Sequence, residues 1–211
     1  MAITVTDYQP DDTIAIDTYI GSNTPTTNFG TGANILIFDS PVTATLIRFD
    51  WIWNSLLNRK IKLISDIELE LYANAISNYG DWTAKLYLIK RDWVESEVTW
   101  NNWKSGNAWQ TAGAQGADDA LFTGWTSIIK TVGSTWYSYY IPASVVAQGL
   151  ANQFFGIMIY GQTAYGYSGG TCQITYSSSS NATASQRPKY TFTYEPYHKI
   201  YMAKSGLGQV K

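Results

Sequence analysis

The chain reads as an all-β protein: a single jelly-roll-type antiparallel β-sandwich with one short helix and a C-terminal extension. Three observations predict it. Apolar residues recur with a period of two in short runs, as in Ile67-Glu-Leu-Glu-Leu71, where Ile67, Leu69 and Leu71 share a face. Tyr (16) and Trp (9) supply much of the apolar payload, and aromatic side chains favour strands over helices. Clusters of Gly, Asn, Ser, Thr and Pro separate the runs, while no repeat of roughly 20–50 residues points to a propeller or solenoid. A length of 211 residues suits one large β domain.

Taken in order, residues 1–12 form an N-terminal arm with room for a short strand at Ile3 and Val5 before Pro10. Residues 13–194 form the sandwich. Its first strand, 13–20, places Ile14, Ile16, Thr18 and Ile20 on one face. A polar loop over 21–32 has one hydrophobe, Phe29, to tack it down. Strands follow at 35–38 and 42–53, the latter with Leu46, Arg48 and Asp50 opposite Ile47, Phe49 and Trp51. The alternation at 64–72 is the clearest in the chain, and 84–90 continues it. Residues 105–121 read as an extended loop, and 123–132 with 135–141 as a hairpin around Gly133-Ser134. Pro142, Ser144 as N-cap and a stripe of Val145, Val146 and Leu150 predict a short helix over 144–153. Strands at 154–160, 172–177 and 189–194 complete the set. Residues 195–211 make a separate tail.

Arg91 to Trp103 is the most informative stretch. It is too polar at Glu95, Ser96 and Glu97 for a strand interior, and too aromatic at Trp93, Trp100 and Trp103 for an idle linker. Buried indoles can hold a loop without regular backbone pairing, so Trp93 and Trp100 are expected as its anchors.

Charge and composition exclude several functions. A net charge of −2 with no basic patch gives nothing to neutralise phosphates, so nucleic acid is not an expected partner. Apolar runs are far shorter than the roughly 20 residues of a membrane-spanning helix. The start, Met-Ala-Ile-Thr-Val-Thr-Asp, lacks the basic and apolar regions of an export signal. The single cysteine, Cys172, forms no internal disulfide and reads as a small core residue. The single histidine, His198, lies in the tail, so the sandwich has no histidine base for a Ser/His/Asp arrangement, and His/Cys metal clusters are excluded by count. Glu95/Glu97 and Asp118-Asp119 are carboxylate pairs, read as solvated or as caps for backbone N–H groups rather than as a glycosidase pair. No catalytic residue is expected.

Several stretches, in this order, resemble the DNRLRE family of β-sandwich domains: Asp17-Thr-Tyr-Ile20, Asn28-Phe-Gly-Thr-Gly32, Leu46-Ile-Arg-Phe-Asp50, Ile67-Glu-Leu-Glu-Leu-Tyr72, Asp92-Trp-Val-Glu-Ser-Glu-Val-Thr-Trp-Asn-Asn102 and Arg187-Pro-Lys-Tyr-Thr-Phe-Thr-Tyr194. The resemblance spans about residues 12–194. It implies a non-catalytic sandwich related to carbohydrate-binding modules, of which some similar ones bind acidic polysaccharides such as alginate. Trp103 stands where that pattern usually has proline, and residues 195–211 lie outside it. Together with the start of the chain, these departures suit a protein made in a host cytoplasm that reaches a surface by assembly, such as a bacteriophage virion component. The alternative is an extracellular module of a secreted polysaccharide-active enzyme.

The residues suggest where contacts would form. Sugar binding uses exposed aromatic faces with amides nearby; Trp103 and Trp109 with Asn101, Asn102 and Gln110 are the candidates, and Tyr165 with Tyr167 a further pair. Tyr197, Ile200, Tyr201 and Met202 give the tail an interface-like composition, for docking on other virion or surface-assembly proteins, on a second copy, or back on its own sandwich. Oxygen donors at Asp11, Asp12, Asp17 and Asn28 allow a structural calcium, with Asp17 and Asn28 as its named ligands, or serve as ordinary turn and capping residues. No other cofactor is expected.

Overall fold

A computed structural model describes residues 1–10, 13–39, 42–50, 54, 58, 61–77, 82–129, 133–151, 155–162 and 173–196. The strands are β1 (Ile3–Tyr8), β2 (Ala15–Gly21), β3 (Asn34–Asp39), β4 (Val42–Phe49), β5 (Ile61–Leu63), β6 (Ile67–Ser77) and β7 (Trp82–Ile89). They continue as β8 (Asn102–Lys104), β9 (Asn107–Ala108), β10 (Ala120–Ile129), β11 (Thr135–Ile141), β12 (Ile157–Gln162), β13 (Gln173–Ser177) and β14 (Lys189–Pro196), with helix α1 at Ala143–Ala151 between β11 and β12.

The result is an all-β sandwich. One layer runs β2-β4-β12-β7-β10; the other is centred on β6, which pairs with β11 on one side and with β13 and β14 on the other. The paired strands are antiparallel, and β3 bridges the layers by pairing with β13 and, at its tip, with β4. Alternation explains the core. In β6, Ile67, Leu69, Leu71 and Ala73 are buried while Glu68, Glu70 and Tyr72 are not. They meet Ile47 and Phe49 of β4, Leu86 and Leu88 of β7 and Ile157 and Ile159 of β12 in one interlayer cluster. Three buried tyrosines lie in it, Tyr139, Tyr176 and Tyr190; the hydroxyls of Tyr139 and Tyr176 are 2.6 Å apart.

Three expectations are corrected. Residues 123–132 and 135–141 do not form a hairpin: β10 pairs with β7 and β11 with β6, so the Gly133-Ser134 region passes the chain from one layer to the other. Ser134 takes a positive φ there, and its N–H donates to Ala73 O. The helix starts at Ala143, earlier than a Ser144 cap implies. Val145 and Val146 N–H donate to Pro142 O, and Asp66 Oδ1, from across the chain, accepts the Ala143 N–H. Finally, the stretch 105–121 is not simply extended. It contains β9, which pairs with β8, and a series of turns leading into β10.

Residues 3–8, in the expected N-terminal arm, pair along β14, and β14 itself continues to Pro196. Among the described residues no helix is long and apolar enough to cross a membrane.

Candidate functional site

Layer one is apolar on both faces. Ile20, Ala44, Leu46, Tyr87, Ile89 and Met158 point away from the interlayer core and are nevertheless buried, beneath Trp93, Val98, Trp109 and Ala114. The cover is the segment between β7 and β10. Ile89 and Ala120 are paired in the sheet, so residues 90–119 leave and return at one place and fold back over its outer face. Trp93 is fully buried; its Nε1–H donates to Phe155 O at 2.8 Å, and the Arg48 guanidinium lies 5.5 Å over its ring. Trp100, half-buried, packs against the same cluster. It rests on Gly113, where a Cβ would collide with the indole and φ is +79°. Trp93 and Trp100 thus both pack in or against the outer-face cluster.

Polar side chains close the segment. The Asp119 carboxylate is fully buried and accepts the backbone N–H groups of Gln110 and Thr111, each at 2.9 Å, and of Gly116 at 3.2 Å, with Arg91 Nε at 3.3 Å. Glu97 Oε2 accepts Ser105 N–H. Glu95 Oε1 accepts the Asp17 N–H at 3.0 Å, which ties the segment to β2. Asn28 Nδ2 donates to both Glu95 O and Val98 O, Asn28 Oδ1 accepts Gly30 N–H, and Asn101 N–H donates to Pro25 O. Gly30 is there for space: a Cβ would strike the Glu95 carbonyl. The 22–32 loop and the tryptophan segment therefore hold one another in register.

This geometry redistributes the sequence candidates. Trp109 offers no stacking face: it is 4% exposed and its Nε1–H donates to Thr99 O, so it is a third anchor. Trp103 is half-buried against the outer-face cluster, and Lys104 Nζ lies 4.5 Å over its ring. Asn101 and Gln110 are exposed, although Gln110 Oε1 accepts Asp118 N–H; Asn102 is half-buried in β8, its N–H bonded to Thr99 Oγ1. The five do not form one aromatic platform.

Asp17 and Asn28, named as calcium ligands, are engaged by protein instead. Asp17 is 2% exposed and its Oδ2 accepts Ser179 N–H, while both ends of the Asn28 amide are occupied as above. Among the described residues no group of His, Cys, Asp and Glu could hold a metal. Tyr165, Tyr167, Tyr197, Ile200, Tyr201, Met202, Asp11, Asp12, Cys172 and His198 lie outside the described residues.

One feature escaped the sequence reading. Beside β2 and β3 is an open cleft of about 340 Å³, at the lower end of the roughly 300–1,000 Å³ typical of small-ligand sites. Its wall is a stacked pair, Tyr19 and Phe29, with ring centroids 4.1 Å apart and planes 15° apart. Partial burial raises the Tyr19 phenol above its ordinary value, so it stays protonated and able to donate. Asn28, Thr31, Asn34 and Leu36 contribute the rest of the lining that matters here. The signal was present in the lone hydrophobe of the 21–32 loop; its partner, on a half-buried strand, was not identifiable.

No curated protein matches the chain. A chain in the structure of infectious bursal disease virus, Gx strain, is similar at 16% identity over 95% of this chain, with a TM-score of 0.20. This chain spans 37% of that one. The pattern of carbohydrate-binding module family 96 matches residues 11–194, which include both layers, the tryptophan segment and the cleft. The chain belongs to carbohydrate-binding module family 96.

Proposed function

We propose that this protein is a non-catalytic carbohydrate-binding module that serves adhesion, and that it meets its glycan where the 22–32 loop and the tryptophan segment interlock. The observation that carries the reading is the cleft walled by Tyr19 and Phe29, in a chain whose family binds carbohydrate. The loop carrying Phe29 is fixed by Asn28 rather than left to order on binding, which lowers the entropic cost of holding a sugar. Of the carboxylates that could suggest hydrolysis, Glu95, Glu97 and Asp119 each accept backbone N–H groups of the scaffold, and Asp118 is exposed.

Affinity electrophoresis of the whole chain through gels containing soluble polysaccharides tests this. Retardation by at least one polymer, with no reducing ends released, is the expected result; free migration in every gel contradicts it. The virion setting and its bacteriophage context, with docking through Tyr197, Ile200, Tyr201 and Met202, extend the proposal on the sequence alone. Light scattering of the full chain and of one ending at Pro196 checks that extension, which requires a discrete oligomer to be lost on truncation.

A further inference from the structure

We infer that Lys85, Tyr87, Gln115 and Tyr160 form a second, auxiliary glycan contact on the outer face of layer one, and that it takes a sugar unit bearing an anionic group, a carboxylate or a sulfate ester. The inference rests on the carbohydrate-module reading and adds a place that shares no lining residue with the Tyr19–Phe29 cleft. Strand alternation builds it. Ala84, Leu86 and Leu88 of β7 face the interlayer core, so Lys85 and Tyr87 stand on the opposite face. On β12, Ile157 and Ile159 point inward, and Met158 and Tyr160 outward. The register sets Met158 opposite Tyr87 and Tyr160 opposite Lys85. Directly opposed side chains start about 4.5–5.5 Å apart, so the lysine stem rises beside Tyr160.

Gln115 brings the tryptophan segment to the same spot, where it lines with Tyr87, Met158 and Tyr160 a dimple of about 50 Å³. That is far below the roughly 300 Å³ of a whole-ligand site, so the dimple accepts one substituent while the sugar ring stays on the surface. Tyr87 and Tyr160 meet edge to face, with centroids 6.4 Å apart and planes at 84°, and Tyr160 is only half-buried. Gln115 Nε2 donates to the Tyr160 hydroxyl at 2.9 Å. That bond leaves the phenolic proton and Gln115 Oε1 for a ligand, since neither makes another hydrogen bond among the described residues. Burial holds the Tyr160 phenol above its ordinary value, so its proton is present at neutral pH. Lys85 supplies the charge. It is half-buried and makes no ion pair or hydrogen bond among the described residues, whereas Arg48, Arg91 and Lys189 each pair with a carboxylate. A cation without a countercharge, partly withdrawn from water beside an aromatic pair, favours an anionic ligand. The anion sits on Lys85 Nζ, a sugar hydroxyl on Gln115 Oε1, and the ring against Tyr160.

Isothermal titration of the full chain tests the inference, with alginate and polygalacturonate as carboxylate probes, λ-carrageenan as a sulfate probe and xyloglucan as a neutral one, at low salt and at about 0.5 M salt. Lys85→Gln removes the charge, and Lys85→Arg keeps it. The expected result is binding to a carboxylate or sulfate polymer that weakens in salt, falls about tenfold in Lys85→Gln and is retained in Lys85→Arg, with all three proteins melting together. Which of the two anionic classes binds tells carboxylate from sulfate. Anionic polymers bound by Lys85→Gln as tightly as by the parent overturn the site, and so does a loss that Lys85→Arg shares. Binding to xyloglucan alone overturns the anionic contact while the module reading stands. Heat of binding to none of the probes, together with free migration in every gel, overturns both readings.

Discussion

Asp119 should be the most sensitive polar residue of the tryptophan segment, and its neighbour Asp118 among the least. Replacing Asp119 with Ala strips the acceptor from three backbone N–H groups, those of Gln110, Thr111 and Gly116. A buried donor left unpaired costs about 1–3 kcal/mol. The Gly116 bond is buried, whereas those of Gln110 and Thr111 are partly open to water, so their losses are smaller. The Arg91 pair adds little, because that side chain is 35% exposed and screened. The total is about 3–5 kcal/mol, comparable with breaking a buried charge network. For a protein of this size it lowers the melting temperature by roughly 10 °C. Asp118 is exposed, and Asp118→Ala should stay within about 0.5 kcal/mol of the parent. Thermal melts by circular dichroism compare the two. Amide hydrogen exchange at Gln110, Thr111 and Gly116 registers a loss confined to the segment. If both variants melt together and these amides stay protected, Asp119 is not the hub that its bonds describe.

Other consequences are as direct. Trp109→Phe removes the N–H bonded to Thr99 O and should cost about 1–3 kcal/mol, and Trp109→Ala about 3–5 kcal/mol, with glycan retention unchanged in the folded fraction, as urea unfolding and affinity gels can show. Gly30→Ala should destabilise by about 1–3 kcal/mol because its methyl meets the Glu95 carbonyl. Gly106→Ala, at a φ of +71° with nothing nearby, should cost only about 1 kcal/mol; equal melting shifts would contradict the packing argument. Burial raises the phenols of Tyr139 and Tyr190 well above the tyrosine norm, helped at Tyr139 by the nearby Tyr137 and at Tyr190 by Asp17. The folded state therefore keeps protons that the unfolded chain releases above about pH 10, so this stability is whole below that pH and falls as pH rises. A urea midpoint that declines from about pH 10 upward is expected, and one flat to about pH 11.5 would refute it.

The sandwich was legible where one local pattern sufficed. Ile67, Leu69 and Leu71 alternate with glutamates and tyrosine, and that period of two is what a half-buried strand imposes. Trp93 and Trp100, which pack in or against the outer-face cluster, stood out because indoles in an otherwise polar loop have few uses besides packing. What escaped depends on residues far apart in sequence. The pairing of β10 with Leu86 and Leu88 and of β11 with Leu69 and Leu71 is what shows that β10 and β11 lie in different layers. Trp109 lies in a polar, Gly-bearing context that left exposure and burial equally open, and it is buried because Leu46 and Met158 present an apolar outer face that needs covering. Asn28 is an oxygen donor in isolation, but opposite Glu95 O and Val98 O its amide nitrogen matters. The Tyr19–Phe29 wall joins a strand to a loop, a contact that no periodicity encodes.

The stacked pair is also where the proposed function is most exposed to test. Aromatic proton–carbon NMR spectra of the full chain, recorded during titration with whichever polysaccharide retards it most, report each ring separately. Shifts concentrated on Tyr19 and Phe29, with Trp93 and Trp109 unmoved, are the predicted result. Shifts at Trp103 alone, with Tyr19 and Phe29 unchanged at saturation, would place the glycan on the β8–β9 hairpin and contradict the cleft.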